Sequence, residues 1–228
     1  MTRTLGDGLR WVELGTGLCE RALASIPVGR LGEPSELAGW SRAHVVAHLD
    51  GNARALTNLV RWATTGIETP MYSSMEQRNA DIAAGAVLAE DILRGRFEES
   101  ASLLADGLGS ITDWSAEVRT AQGRTVPVSE VPWMRSREVM VHAVDLLGGV
   151  EFTDLPDDLL LALAQDIAAK RSVDGTGPSL LLLNRDGVQV AQVQGVGETV
   201  TLSASAAELT AYLSGRDPSL GPALPAWL

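Results

Sequence analysis

His44-Val-Val-Ala-His48 and Glu138-Val-Met-Val-His142 are the two stretches from which this chain is read. All three of its histidines fall within them. Side chains four residues apart lie on one face of a helix, with Cβ atoms roughly 5–6 Å apart. One His from the first helix with the Glu and His of the second makes a His₂Glu set that leaves a fourth position open. Catalytic zinc is held in this way, whereas structural zinc is closed by four ligands, usually including Cys. The spacing therefore predicts a catalytic metal between packed helices.

Working outward, Ser41 is placed to cap a long helix whose apolar rhythm runs through Val45, Val46, Leu49, Ala53, Leu56, Leu59 and Val60 as far as Gly66. Upstream, Leu9, Val12, Leu14, Leu18 and Ala22 keep the same rhythm. Downstream, a third helix is expected from Ser74 and a fourth from Asp91 to Leu108. Val118–Val128, with Gly123 and Pro127, reads as a hairpin or irregular excursion. Pro132 suits the first turn of a helix that runs to Leu147 and stops at Gly148-Gly149.

Past Gly149 the texture changes. Pro156–Lys170 is helical. Ser179–Asn184 and Val188–Gln194 flank Asp186-Gly187 and read as a β-hairpin. Glu198–Ser203 alternates as a third strand, and Ala206–Leu213 closes with a short helix. The fold class is α+β in two domains: a helical bundle holding the metal over residues 1–150, then a small α/β domain over 151–228.

Length, at 228 residues, and a hydrophobic content of 45% support a real core. A formal charge of −11 argues against nucleic acid, whose phosphates it would repel. Lys170 is the only lysine among 18 basic residues, and arginine suits bidentate carboxylate recognition better than lysine does. The lone Cys19 excludes a disulfide framework and a Cys-based zinc knuckle. No apolar stretch approaches the length of a membrane span, and no signal pattern opens the chain. A cytoplasmic monomer acting on small molecules, away from membranes, is expected.

Each polar pair has an ordinary reading. Two histidines four apart arise by chance, and a Glu–His pair at that spacing can be a helix contact of about 0.2–0.5 kcal/mol. Together they say more, because Val45, Val46, Val139 and Val141 surround them and polar groups on an apolar face must be satisfied. Bundle helices do build metal sites from inward Glu and His. Spacing does not decide between His44 and His48. Among the arginines, Arg78 and Arg216 are candidates for holding a substrate carboxylate in a guanidinium fork, whereas Arg54 and Arg135 read as solvated surface charges. Trp40, Trp62 and Trp133 read as core aromatics, and Cys19 as a buried apolar residue rather than a nucleophile.

With these residues in view the chain resembles the mycothiol-dependent maleylpyruvate isomerases, part of a wider set of thiol-handling helical-bundle metalloproteins related to DinB. The resemblance rests on Gly39-Trp-Ser-Arg-Ala-His-Val-Val-Ala-His48, Asn52, Asn58 to Trp62, Thr65-Gly-Ile-Glu-Thr-Pro-Met-Tyr72 and Glu76-Gln-Arg-Asn79. It continues through Thr120-Ala-Gln-Gly-Arg-Thr-Val-Pro127, Trp133-Met-Arg-Ser-Arg-Glu138 and His142-Ala-Val-Asp-Leu146, with a looser match at Gly215-Arg216 and Pro225-Ala-Trp-Leu228.

The resemblance implies zinc on His48, Glu138 and His142 with water completing the site, so that His44 does not coordinate. It implies a DinB-like four-helix bundle followed by a sterol-carrier-like α/β domain, and a part in activity for Arg216. The implied reaction, a step of gentisate degradation, turns maleylpyruvate into fumarylpyruvate: a thiolate adds to the cis double bond, the single bond turns, and elimination returns the thiol. Zinc would lower the pKa of the mycothiol sulfur, with Arg78 and Arg216 on the substrate's carboxylates and developing charge. Asp145 reads equally as a partner behind His142 and as a surface residue. Two other readings stay open: a zinc-dependent mycothiol S-transferase, which would consume thiol, and a non-enzymatic metal- or lipid-binding regulator.

Overall fold

A computed structural model describes residues 3–226; Trp227 and Leu228, part of the resemblance at the tail, lie outside them. Thr4–Val150 form one compact unit, and the chain from Glu151 onward belongs to another.

The first unit contains α1 (Leu5–Ser25), α2 (Arg42–Thr65), α3 (Met75–Ala86), α4 (Glu90–Gly109) and α5 (Val131–Asp145). Along their length α1 packs on α5 and α2 packs on α4, while α2 also meets α5. These four make the bundle, and α3 lies against α2. Local chemistry sets the ends. Thr4 and Asp7 form a capping box at the start of α1, Ser41 and Ser74 cap α2 and α3, and Gly66 stops α2 in the left-handed conformation. Between α4 and α5 a short antiparallel hairpin, β1 (Glu117–Arg119) and β2 (Thr125–Pro127), pairs Val118 with Val126. It leads through a 3-10 turn at Val128–Glu130 into α5, with Pro132 in the first turn.

Apolar stripes meet in two buried clusters, one around Cys19, Val45, Leu49, Phe97 and Val139, the other around Leu56, Leu59, Leu104 and Val131. Each large aliphatic or aromatic side chain so buried contributes about 1.5–3 kcal/mol. Gly15 on α1 allows a close approach to α5. A Cβ there would lie 2.4 Å from Val139 Cγ2, so a glycine lets α1 press against the turn of α5 that carries Glu138.

In the second unit a 3-10 turn at Phe152–Asp154 precedes α6 (Asp157–Asp174), β3 (Pro178–Leu183), β4 (Gln189–Val193), β5 (Val196–Ser203) and α7 (Ala206–Leu213). The expected hairpin is there: β3 and β4 are antiparallel, and Asn184 Oδ1 accepts from the N–H groups of Asp186 and Val188 in the turn. Sheet order is β4-β3-β5, and β5 runs parallel to β3 on its other side. To get there the chain crosses the start of β3 at Gly195, where a Cβ would sit 2.2 Å from the Gly177 carbonyl oxygen. Alternation predicts a strand but not its partner or direction, which is why this parallel pairing was illegible beforehand. Helix α6 runs past its expected end at Lys170 and stops at Gly175, φ +61°.

Candidate metal centre

On α2 the two histidines divide their labour. His44 turns back to the helix start, its Nδ1 accepting from Ser41 N at 3.3 Å and lying 2.7 Å from Ser41 Oγ. One turn further along, His48 is buried, and Trp40 packs its ring 5.7 Å from it. Glu138 and His142 stand a turn apart on α5. His48 Nε2 lies 2.8 Å from Glu138 Oε2, and His142 Nε2 lies 3.4 Å from the same oxygen. The imidazoles are perpendicular, with centroids 4.9 Å apart.

The three ligand atoms lie within 4.8 Å of one another, and among the described residues no fourth His, Cys, Asp or Glu joins the group. Donors at zinc bonds of about 2.0–2.2 Å stand roughly 3.4 Å apart in a tetrahedron. A small rearrangement of this trio, with the 2.8 Å His48–Glu138 contact opening, therefore fits a divalent ion such as zinc and leaves one position for an outside ligand.

Hydrogen bonds fix the protons. Arg78 Nη2 donates to His48 Nδ1 at 3.1 Å. A guanidinium has no acceptor, so the imidazole proton is on Nε2 and is donated to Glu138. Burial lowers the His48 pKa against the pull of Glu138, in keeping with a neutral ring. Burial also opposes charge on His142, but the hydrogen bonds to Asp145 and Glu138 prevail and push its pKa up to about 9. Burial would raise Glu138 too, yet the two imidazoles hold it well below the usual carboxylate range. His142 Nδ1 donates to Asp145 Oδ2 at 2.7 Å, and that carboxylate is fully buried. This bond leaves Nε2 facing the centre, as metal-binding histidines are typically oriented. Of the two readings of Asp145, the partner behind His142 is the one observed.

Arg135 corrects an expectation. Read as a solvated charge, it is 1% exposed. Its Nη1 donates to the Leu49 carbonyl at 2.8 Å and to Asn52 Oδ1 at 2.9 Å, tying α5 to α2 beside His48. Nη2 is buried without a hydrogen-bond partner. Burial lowers its pKa, while Glu138 and Asp50 act to keep it charged. A guanidinium survives this far inside only with such acceptors and carboxylates around it. A signal for it existed: Arg135, Glu138, His142 and Asp145 recur at the three- and four-residue spacing of one helix face.

Arg78 reaches the centre and lines a recess of about 190 Å³ together with His48, Asn52, Tyr72, Ser73 and Gln77. Its guanidinium carbon is 5.8 Å from the Tyr72 ring centroid, and burial raises the Tyr72 pKa, so the phenol keeps its proton. Arg216 follows α7 in the second unit, where its N–H donates to Ala211 O and its Nη1 to Ser214 O at 2.6 Å. Arg54 is the partly exposed charge expected, paired with Asp50 and Glu99. Trp133 is a core aromatic, whereas Trp40 and Trp62 are only partly buried. Cys19 is fully buried, its thiol donating to the Val139 carbonyl at 3.0 Å, and burial pushes its pKa up to about 12. It is no nucleophile.

Residues 14–147 match the model of the mycothiol maleylpyruvate isomerase N-terminal domain. Two solved structures are similar over nearly the whole chain. One is a crystal structure of a mycothiol-dependent maleylpyruvate isomerase, 42% identical, with a TM-score of 0.90 over 96% of this chain and 94% of that one. The other is a histidine-to-alanine variant of such an enzyme, also 42% identical, with a TM-score of 0.89 over 95% and 93%. No curated protein sequence matches. The bundle, the convergent triad and these likenesses agree: the chain belongs to the mycothiol-dependent maleylpyruvate isomerase family.

Proposed function

We propose that this chain is a cytoplasmic, monomeric enzyme that converts maleylpyruvate to fumarylpyruvate. In this reading His48, Glu138 and His142 hold zinc, mycothiol is the thiol cofactor, and nucleic acid and membranes play no part. Residues 1–150 form the metal-holding domain and 151–228 a small α/β domain. The convergence of three donor atoms, with no fourth among the described residues, beside a recess carrying Arg78, supports it most directly. Family membership supplies the substrate and the thiol. The acidic charge, and the lack among described residues of a helix long and apolar enough to cross a membrane, agree with it.

Zinc in such a site acts as a Lewis acid that lowers the pKa of a bound thiol. Mycothiol, when bound, would supply the sulfur nucleophile whose reversible addition frees the cis double bond to turn. The remaining work falls to the chain. Asp145 orients His142, and Arg135 holds α2 against α5 so that His48 meets Glu138. Arg78 offers a guanidinium fork to a substrate carboxylate. Tyr72, protonated, offers a hydrogen bond to oxygen on which charge develops; losing one donor of this kind typically costs about 2.7–4 kcal/mol. Arg216 is the second arginine proposed to hold substrate, on the strength of its match to the family's C-terminal arginine. The buried Cys19 cannot act as an internal thiol, so the nucleophile comes from outside.

Loss of maleylpyruvate absorbance tests the reading, followed with and without substoichiometric mycothiol and alongside His48→Ala. Turnover that needs the thiol, returns it unconsumed and vanishes in the variant is expected. A stable thioether with thiol consumed would instead identify a mycothiol S-transferase. Zinc and thiol binding without turnover of maleylpyruvate would also point to the S-transferase, to be sought with other electrophiles, and inactivity towards all of them would point to a regulator.

A further inference from the structure

We infer that the recess between the Glu68–Met75 segment and the β1–β2 hairpin binds the hydroxyl-rich sugar–cyclitol part of mycothiol. The inference rests on the function proposed above. The recess beside His48 holds about 190 Å³, below the roughly 300–1,000 Å³ of ordinary small-molecule sites. That volume suits the reacting ends, a small dicarboxylate and a sulfur, but not the bulk of a thiol that carries two six-membered rings. A second recess of about 300 Å³ adjoins it and shares Met71, Tyr72 and Ser73 as a common wall. The part of a ligand that exceeds the first recess, when its sulfur is held at the centre, is assigned to the space along that shared wall.

The lining of this second recess suits a neutral polyol. It presents the carboxylate of Glu68, the guanidinium of Arg119 and the partly buried ring of Trp62. The carboxylate accepts from hydroxyls, the guanidinium donates to them, and the indole offers an apolar face to ring C–H groups. One negative and one positive group leave the lining without net charge, so a dicarboxylate gains nothing here and is drawn instead to the recess of Arg78. Glu68 and Arg119 stand 3.8 Å apart, with 59% and 57% of their side chains exposed. A pair so long and so exposed is worth little, and both groups can turn to ligand hydroxyls at small cost. None of the candidate metal donors lies in this recess, which confines its role to binding.

Calorimetric titration of the zinc-loaded full-length chain tests this with three probes. These are mycothiol, N-acetylcysteine, which has the thiol end without the rings, and the N-acetylglucosamine–inositol fragment, neutral and without cysteine. Mycothiol is expected to bind more tightly than N-acetylcysteine. The fragment is expected to bind the metal-free chain as well, because its site contains no metal ligand. Arg119→Ala and Glu68→Ala, both at exposed positions, should each weaken mycothiol by about tenfold and leave N-acetylcysteine unchanged. Mycothiol affinity unaltered in both variants would overturn the assignment while leaving the isomerase reading standing. A wild-type chain that binds no mycothiol would overturn both.

Discussion

Two buried arginines, one in each unit, show how differently the halves of this molecule use polar groups. Arg171 on α6 places Nε and Nη2 on the Leu213 carbonyl and Nη1 on the Pro225 carbonyl. These three hydrogen bonds go to backbone oxygens, at the end of a helix and in the segment that follows, where acceptors would otherwise be unsatisfied. Arg135 also crosses between elements, but it lies in a row with Glu138, His142 and Asp145, and its Nη2 is left without a partner. An arginine with every nitrogen bonded to backbone builds structure. One held a turn away from the candidate metal donors, with its Nη2 unbonded, is placed to shape the electrostatics and register of a site.

The largest break in this contrast is expected from Glu138→Gln, which removes the only anion among the three donors. Turnover should fall by on the order of 10³-fold or more, and metal content measured on the purified protein should drop with it. Full zinc occupancy in that variant would remove Glu138 from the proposed ligand set.

The next effect separates the arginines. Arg135→Met should lower zinc affinity by about 10–100-fold, the usual consequence of disturbing the groups that support metal ligands. Arg171→Met should leave zinc affinity unchanged and cost about 1–3 kcal/mol of stability through unpaired carbonyls. Chelator competition and denaturant unfolding on both variants read the two quantities independently. Equal zinc affinities in the two variants would erase the distinction.

A smaller effect follows pH. In the metal-free chain His142, with its pKa near 9, carries a proton that zinc must displace. His48, with its pKa lowered, is already neutral. Raising pH from 6 towards 9 removes the competing proton, so zinc affinity should climb about tenfold per pH unit, with one proton released per metal. Release of no proton at pH 7 would mean His142 is neutral before loading. Smallest of all, Cys19→Ala should leave turnover within about twofold and cost about 1 kcal/mol of stability. In the unaltered protein, alkylation of Cys19 should be absent until denaturant is added.

Much of the architecture was legible because its signals are short-ranged. Ser41, Ser74 and Gly66 act within a turn of themselves, and apolar residues at helical spacing mark the face that will be buried whatever it meets. The Asn184–Val188 turn likewise declares its hairpin through its own side chain. Motif resemblance identified the candidate donors His48, Glu138 and His142, which spacing by itself narrowed only to four residues. Other features depend on groups distant in the chain, and only tertiary packing decides them. His44 and His48 share one spacing, and they separate because one finds a helix cap and the other a carboxylate from α5. Arg135 shares a helix face with Glu138, His142 and Asp145 in the sequence, but only Leu49 and Asn52, brought by α2, supply the acceptors that let it be buried. β5 alternates like an edge strand of either direction until a crossing at Gly195, too tight for any side chain, sets it parallel to β3. Periodicity tells a residue which way to face, and what it faces is decided by elements that reach it only when the chain has packed.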